Sequence, residues 1–247
     1  MLPDWARKPL MPLRDKCLQI WRAIRYYGTA RFCPVCGKSS SRFSEFGVEK
    51  RQDAQCVHCG ALERHRLLWL YLQKRTNLFD GKSRKMLHIA PEPCFVSRLG
   101  QCLGSNYLTA DLVNPLAMVK MDITNIEYPD QSFDVIYCSH VLQHVHDDRK
   151  AIRELYRILR TDGWAILQES VTTEKTIEDP SVISPEDRLR IFGQHDRVRS
   201  YGPDYVERLR ETGFIVEFTK VNQLVTSEEA VRMGLTIASG EICYCTK

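Results

Sequence analysis

Four of the ten cysteines in this 247-residue sequence stand in two Cys-x-x-Cys pairs. Cys33 and Cys36 lie in the run FCPVCG, Cys56 and Cys59 lie in CVHCG, and nineteen residues separate the pairs. A Cys-x-x-Cys pair followed by glycine places two thiolates on one tight turn, and two converging turns form a tetrahedral site for Zn²⁺. The spacing is typical of zinc ribbons. We therefore predict one structural Zn²⁺ on these four cysteines, with two redox-active pairs as the alternative.

A zinc site requires reduced thiols, and the rest of the sequence is consistent with them. The other six cysteines are scattered, whereas a secreted disulfide scaffold would be shorter and denser in cysteine. The first residues contain no apolar segment typical of a secretory signal, and no apolar run approaches the ~20 residues that span a bilayer. We therefore expect a cytoplasmic protein.

The positive charge of the sequence is concentrated near its start. Residues 1–79 hold 15 Lys and Arg against 6 Asp and Glu, whereas the rest of the chain carries a net charge of −5. A basic front on an acidic body favours contact with something anionic, such as nucleic acid, a phosphorylated substrate or a membrane surface. A solvated basic face without a partner is the alternative.

Beyond residue 84 the hydrophobic pattern alternates between short buried runs and amphipathic helices. The predicted strands are KMLHIA, NYLTAD, MVKMD, FDVIYCS, WAILQES, FIVEFTK and EICYCT. Residues 147–160 form the clearest helix, which Thr161-Asp162-Gly163 ends. Strands that alternate with helices predict an α/β fold with a mainly parallel, doubly wound sheet, and the last two strands predict an antiparallel hairpin at its edge.

Acidic side chains end the second and third predicted strands. Asp111 lies 22 residues beyond Ile89 at the end of the second strand, and Asp122 ends the third. Ligands of a doubly wound sheet bind at the carboxyl ends of its strands. We therefore expect Asp111 to accept hydrogen bonds from both ribose hydroxyls of an adenosine, and Asp122 to accept one from an amine such as adenine N6.

Residues 85–170 resemble the class I S-adenosylmethionine-dependent methyltransferases, in particular the type 11 methyltransferase domain. The matching stretches are MLHIAPEP, YLTADL, KMDITNIEYPDQSFDVIYCSHVLQHVHD and RELYRILRTDGWAILQES. The resemblance implies a Rossmann-like sheet of seven strands in the order 3-2-1-4-5-7-6, with the seventh strand antiparallel. It also implies S-adenosylmethionine as the cofactor, bound by Ala90, Glu92, Asp111, Asp122, Ile123, Ser139 and His140.

The first loop departs from the family pattern, because it is Ala90-Pro91-Glu92-Pro93 rather than glycine-rich. Glycine lets the backbone approach the cofactor, and Ala90 can approach it nearly as well, whereas Glu92 adds a side chain. We expect the Glu92 carboxylate to hold the ammonium group of the cofactor. A loop that binds the cofactor weakly is the alternative.

Methyl transfer to a hydroxyl or a protonated amine needs a base, and histidines near the strand ends are the candidates. We predict His195 as the base and His144 as the reserve. His140 and His144 also have the spacing of a metal-binding pair, which is the alternative for these two residues.

Two segments rich in arginine and histidine are predicted to face one cleft and to select the acceptor. The polar loop 191–201 follows a weakly structured stretch and is predicted to cover the substrate. Planar guanidinium groups bind phosphate or carboxylate through paired hydrogen bonds, so an acceptor with an anionic group is expected. The predicted substrate-binding residues are Arg64, His65, Arg66, Arg197, Arg199 and Tyr201.

The sequence therefore divides into a basic amphipathic helix within residues 1–30, a zinc ribbon over 31–66, a connecting helix over 67–83 and a methyltransferase domain over 84–247. The resemblance implies methyl transfer to an O or N atom of a small-molecule or glycan-type acceptor. The alternatives are an RNA methyltransferase that binds RNA through its ribbon, and a non-catalytic binding protein with this fold. RNA is less favoured, because few aromatic residues are present in the ribbon to stack on bases.

Overall fold

The computed structural model describes residue 21 and residues 24–47 and 50–247. Most of the basic helix predicted within residues 1–30 therefore lies outside the described residues. No helix within the described ranges is long and apolar enough to cross a membrane.

Two short antiparallel hairpins form the ribbon, with Cys33 and Cys36 at the turn of the first hairpin and Cys56 and Cys59 directly after the second. Strand β1 (Arg31–Cys33) pairs with β2 (Lys38–Ser40), and β3 (Ser44–Phe46) pairs with β4 (Arg51–Gln55). The turn after each cysteine pair closes on a glycine at positive φ, Gly37 at 69° and Gly60 at 75°. Glycine adopts this left-handed conformation without steric cost, which explains why a glycine follows each pair.

Helix α1 (Glu63–Arg75) joins the ribbon to the body and is buried on nearly all sides. Leu67, Trp69 and their neighbours pack in one continuous apolar core with Cys33 of the ribbon and Phe95 of the body. The indole ring of Trp69 stacks on the ring of Phe95 with a centroid distance of 6.0 Å. The helix thus begins four residues earlier than the predicted connecting helix, and the ribbon shares its core with the body.

The strands of the body form one mixed seven-stranded sheet. Its members are β5 (Met86–Ile89), β6 (Tyr107–Asp111), β7 (Val119–Lys120), β8 (Phe133–Ser139), β9 (Leu159–Gln168), β12 (Ile215–Thr219) and β13 (Ile242–Thr246), while β10 (Ile177–Glu178) pairs with β11 (Arg199–Ser200) separately. The order across the sheet is β7-β6-β5-β8-β9-β13-β12. Strand β13 is antiparallel to both neighbours. This arrangement confirms the predicted order 3-2-1-4-5-7-6 and the antiparallel edge.

Helices cover both faces of the sheet. The remaining α-helices are α2 (Pro93–Leu103), α3 (Asp148–Ile158), α4 (Pro185–Phe192), α5 (Tyr205–Thr212) and α6 (Ser227–Arg232), with 3₁₀ turns at Gly104–Asn106, Leu142–His144, Val221–Gln223 and Ile237–Ser239. The core between α1, α2 and one face contains Met86 and Val135, whereas the core under α3 and α5 contains Leu87 and Ile136. Successive strand residues point to opposite faces, so each buried strand contributes to both cores.

Three local predictions were wrong. Strand β9 begins at Leu159 rather than at Trp164, and its pairing with β8 shifts register. A Cβ atom on Gly163 would lie 2.6 Å from the carbonyl oxygen of Asp134, so this close approach requires glycine. The stretch 171–190 contains the start of α4, which Ser184 caps by accepting a hydrogen bond from the Asp187 N–H. Helix α6 lies between the last two strands and was not predicted.

Arg66 connects three separate parts of the chain. Its guanidinium is fully buried and lies over the ring of Phe43, with 4.2 Å to the ring centroid. It donates hydrogen bonds to the backbone carbonyls of Ala54, Ala61, Met233 and Gly234 at 2.6–2.9 Å. These carbonyls belong to the ribbon and to the segment after α6. A single side chain therefore holds the ribbon, α1 and the segment after α6 together.

We predict that Arg66→Met destabilises the folded protein by about 3–5 kcal/mol. The substitution leaves four carbonyl oxygens without their donor in a buried site, and unpaired buried polar groups of this kind are costly. Urea unfolding followed by circular dichroism measures the change. The matched control is Arg153→Met on the exposed side of α3, which we expect to change stability by less than about 0.5 kcal/mol. Equal effects of the two substitutions would contradict the role of Arg66.

Candidate active site and metal centre

The four predicted metal ligands lie together in the ribbon. Their Sγ atoms are all within 4.8 Å of one another. The Cys33–Cys59 and Cys36–Cys56 sulfur pairs are each 3.7 Å apart. A tetrahedron with Zn–S bonds of about 2.3 Å has S···S edges of about 3.8 Å, so this donor set fits Zn²⁺. His58 is exposed and lies 3.1 Å from the Ser39 carbonyl, outside this cluster.

Two non-glycine residues with positive φ lie at the tips of neighbouring strands. Ala90 follows β5 with φ 49°, and His140 follows β8 with φ 57°. The Ala90 N–H donates to the Ala110 carbonyl oxygen at 2.8 Å, which fixes the loop against β6. Side chains other than glycine rarely adopt this conformation, and such strain concentrates at functional sites. Two of the three described non-glycine residues of the body with positive φ therefore lie at the switch point of the sheet, the third being Gln131.

The loops beyond β6 and β7 orient the two carboxylates. Asp111 Oδ1 accepts the N–H groups of Val113 and Asn114 at 2.8 Å. Asp122 Oδ1 accepts the N–H and the hydroxyl of Thr124 at 2.8 Å. In each case one carboxylate oxygen is held by its own loop, and Oδ2 has no partner among the described residues. Each aspartate therefore presents one oriented acceptor at the carboxyl edge of the sheet.

The surroundings of these carboxylates include one residue that the sequence reasoning missed. Leu112 follows Asp111 directly and is 51% exposed, an unusual position for a leucine next to a buried strand. The predicted residues Ile123 and Ser139 are buried near the same strand ends. An exposed apolar side chain directly after a strand-end carboxylate is the signal that could have identified Leu112.

Glu92 belongs to a buried polar network beneath the first loop. Its two carboxylate oxygens accept hydrogen bonds from His88 Nε2 at 2.7 Å and from the Tyr137 hydroxyl at 2.8 Å. Nδ1 of His88 in turn contacts the Tyr107 hydroxyl at 2.7 Å. These hydrogen bonds lower the pKa of Glu92 despite its burial. The carboxylate is thus directed into the sheet, so the structure gives no support to the predicted contact with the ammonium group of the cofactor.

His65 joins helix α1 to that network. Its Nδ1 accepts the Leu62 N–H at 3.1 Å, and its Nε2 lies 3.8 Å from Glu92 Oε1. Burial lowers the pKa of His65 to about 3, so the ring is neutral at neutral pH. The predicted substrate contact of His65 is replaced by an internal one that fixes the start of α1 above the first loop.

A cavity of about 670 Å³ opens at the carboxyl ends of β8 and β9. The ribbon and α1 contribute Arg51 and Arg64 to its wall, the strand ends contribute His140 and Glu169, and residues 237–241 form part of its rim. Its volume is in the range of small-molecule sites. The ribbon therefore shares a concave surface with the body.

Two side chains that line this cavity, His140 and Glu169, have strongly shifted pKa values. Burial, together with the nearby positive charge of Arg64, lowers the pKa of His140 to about 4. Burial raises the pKa of Glu169 to about 8, although its Oε1 accepts the Leu142 N–H at 2.8 Å. Both side chains are consequently uncharged at neutral pH. Perturbed groups of this kind in a cavity mark candidate functional residues.

The loop 191–201 packs against the turn that follows β8. His144 Nδ1 lies 3.2 Å from the Asp196 carbonyl oxygen, and Arg197 donates to the Phe192 carbonyl at 3.3 Å. Positive charge on Arg197 contributes to the lowered pKa of His140. The predicted base His195 is exposed, and neither it nor His144 is among the residues that line the cavity.

Two further predicted substrate ligands make internal contacts. Arg199 is buried and donates to the carbonyls of Leu142, Val145 and His146, as well as to Glu178. Tyr201 is fully buried, and its hydroxyl donates to Asp148. Arg66 is likewise used in internal hydrogen bonds. Of the predicted substrate-binding residues, Arg64 lines the cavity, and Arg197 lies nearby.

Comparison with known proteins identifies the type of domain. Residues 86–167 match the family described as "Methyltransferase domain". The match extends from β5 into β9. A curated relative, phosphoethanolamine N-methyltransferase 3 of Arabidopsis thaliana, is 32% identical over 93 residues. That match covers 38% of this chain and 18% of the relative, so the chain spans only a small part of its length.

Solved structures show the same fold over most of the chain. An S-adenosylmethionine-dependent methyltransferase from Mesorhizobium loti aligns with a TM-score of 0.51 and 14% identity, covering 72% of this chain and 97% of that one. The cyclase SpnF aligns with a TM-score of 0.51 and 16% identity, covering 96% and 97% of the two chains. These similarities establish a Rossmann-like methyltransferase fold.

We predict that each chain binds one Zn²⁺ and that its loss destabilises the whole protein. The ribbon cysteines belong to the same core as one face of the sheet, so ribbon folding and sheet packing are coupled. Cys56→Ser, or treatment with a chelator, is expected to lower the Tm of a single thermal transition. The control is Cys102→Ser at an exposed cysteine. Far less than one equivalent of zinc by elemental analysis, in protein purified without chelators, would contradict the site.

We predict that Glu169→Gln stabilises the protein more at pH 8 than at pH 5. A folded-state pKa of about 8, against an ordinary value of 4.5, means that the folded state holds a proton that the unfolded state has released. The stability linked to this proton is present below about pH 4.5 and is lost as pH rises towards 8, and glutamine removes that loss. Thermal unfolding across this range measures the difference, with Glu207→Gln as the exposed control. A pH-independent difference would show that Glu169 ionises normally.

Proposed function

We propose that the protein is an S-adenosylmethionine-dependent methyltransferase. The observation that carries the proposal is the family match over residues 86–167. The matched range includes Asp111 at the end of β6 and Asp122, which lies two residues beyond β7 rather than at the strand end as predicted. Both aspartates offer an oriented, unpartnered carboxylate oxygen at the switch point, where ligands of doubly wound sheets bind.

The cofactor is proposed to lie across the ends of β5, β6 and β7. Asp111 accepts hydrogen bonds from the ribose hydroxyls, and Asp122 accepts one from the adenine amine. Ile123 and Leu112 provide apolar contact, and the Ala90 loop approaches the cofactor from β5. The bound cofactor supplies a methyl group on a sulfonium, and the protein places the acceptor in line with it. Such positioning provides a large part of the barrier reduction.

The acceptor is proposed to be a small-molecule or glycan-type compound with an anionic group, methylated on an O or N atom. The cavity beside His140 has a suitable volume, and Arg64 is placed in its wall. The name of the Arabidopsis relative gives a phosphate-bearing acceptor, which agrees with this class of compound. His195 and His144 stay candidate bases from the sequence, but His140 is better placed because it lines the cavity.

The two alternatives differ in what supports them. For stacking on RNA bases, Phe43 of the ribbon is not accessible, because it is 2% exposed and its ring is covered by Arg66, whereas Phe46 is 39% exposed. A non-catalytic or differently catalytic role draws support from the fold similarity to SpnF, whose name is that of a cyclase. Cofactor binding combined with a methyl-transfer assay distinguishes these functions.

We predict that the protein binds S-adenosylmethionine and S-adenosylhomocysteine, and that Asp111→Asn weakens both by roughly 1–3 kcal/mol. The substitution removes a charged acceptor from paired ribose hydroxyls. Isothermal titration calorimetry measures the change. The control, Asp162→Asn, lies at the opposite end of the sheet and is expected to leave binding unchanged. Absence of binding by the wild-type protein would refute the proposed function, and an unchanged affinity in Asp111→Asn would refute the assignment of the ribose ligand.

A further inference from the structure

Unsatisfied polar atoms concentrate in the cavity between the ribbon and the strand ends. Within the described residues, seven buried side-chain nitrogen or oxygen atoms have no hydrogen-bond partner. Three of them, Arg64 Nε, His140 Nε2 and Glu169 Oε2, belong to side chains that line this one cavity. Buried polar groups without partners are costly, so their grouping around a cavity indicates a ligand that would pair with them.

His140 and Glu169 together are complementary to a hydroxyl group. His140 Nδ1 lies 3.1 Å from the Ser170 hydroxyl. When Nδ1 carries the proton and donates it to Ser170, the unpartnered Nε2 presents a lone pair. Glu169 uses Oε1 to accept the Leu142 N–H, which leaves Oε2 to carry its proton. A hydroxyl can donate to Nε2 and accept from Oε2–H at the same time.

The ribbon side of the cavity is suited to an anion. Arg64 has no ion-pair or hydrogen-bond partner among the described residues, and its Nε is buried. Arg51 contributes a second guanidinium, held at 3.3 Å by the buried carboxylate of Glu63. The carboxylate of Glu241 at the rim is paired with Lys220 at 3.3 Å. The free charge on the wall of the cavity is therefore that of Arg64, with Arg51 as a partly neutralised neighbour.

We propose that this cavity binds a hydroxyl compound bearing a phosphate or carboxylate, with Arg64 on the anion and with His140 and Glu169 on the hydroxyl to be methylated. This inference rests on the proposed methyltransferase function. The hydroxyl oxygen forms a bond to the methyl carbon while the carbon–sulfur bond of the sulfonium breaks, releasing S-adenosylhomocysteine. The hydroxyl proton passes to His140 Nε2 and then to solvent. The first turn of α1, next to the ribbon, thereby supplies acceptor specificity to the site.

The test measures binding of small probes by calorimetry in the presence of S-adenosylhomocysteine. The probes are inorganic phosphate, glycerol 3-phosphate, glucose 6-phosphate and glucuronate, with glucose as the uncharged control. We expect anionic probes to bind and glucose not to bind. Arg64→Met should weaken the anionic probes about 10- to 100-fold, which corresponds to loss of a charge-assisted hydrogen bond. Arg42→Met, at an exposed ribbon arginine away from the cavity, should leave the affinities unchanged.

A second pair of variants tests the hydroxyl site. His140→Asn keeps a residue type that tolerates positive φ, and Glu169→Ala removes the Oε2 donor. Both should reduce the advantage of hydroxyl-bearing phosphates over inorganic phosphate, while inorganic phosphate still binds. Glu169→Ala should also leave the binding of S-adenosylhomocysteine unchanged. Comparison of the phosphate probes with glucuronate shows whether the cavity prefers a phosphate or a carboxylate. Two results would overturn the proposal in a protein that binds S-adenosylhomocysteine. One is that no anionic probe binds, and the other is that Arg64→Met and Arg42→Met change the affinities for the anionic probes equally. Failure of the wild-type protein to bind S-adenosylhomocysteine would refute the proposed function instead.

Discussion

The burial of helix α1 on nearly every side is the constraint on which the rest of the structure depends. The central residues 67–72 are apolar on every side of the helix and must be enclosed, and the ribbon encloses the start of α1 while the sheet encloses its flank. The Arg66 guanidinium links α1 to both neighbours by donating hydrogen bonds to carbonyls of the ribbon and of the segment after α6. Because α1 is fixed in this way, His65 reaches the network under the first loop and Arg64 reaches the cavity.

The first loop shows how a site can dispense with glycine. In place of a flexible backbone, side chains of three adjacent strands hold the loop from below: His88 and Tyr137 contact Glu92 of the loop, and Tyr107 contacts His88. Ala90 then bears a left-handed conformation that costs roughly 1–2 kcal/mol in a residue with a Cβ atom. Strain of this size persists only where the surroundings determine the conformation. The loop is consequently rigid, and its approach to a ligand is set by the network rather than by glycine.

The sequence predicted those features that depend on local spacing. The cysteine pairs and the strand-end aspartates follow from motif spacing and hydrophobic period, whereas the strand order follows from the family resemblance. The structure has the cysteine cluster and the sheet as expected. The direction of individual side chains depends on distant partners and could not be predicted. Arg66, Arg199 and Tyr201 resemble surface ligands in sequence, yet each is buried against groups 50 or more residues away. Helix α6 was predictable in principle, because Thr226 and Glu229 form a capping box.

These contacts show that part of the excess positive charge in the first third of the chain is used inside the protein. Arg66 uses its charge inside the core, Arg31 pairs with Asp53, and Arg51 is held by Glu63, so part of the basic front is neutralised within the ribbon. Arg64 differs because its charge faces a cavity and meets no carboxylate among the described residues. A guanidinium in a shaped, partly desolvated site selects a ligand far more strongly than a solvated basic face does, since screening by water and salt is weaker there. This contrast is the reason why the proposed ligand is one specific anionic molecule rather than a polyanion.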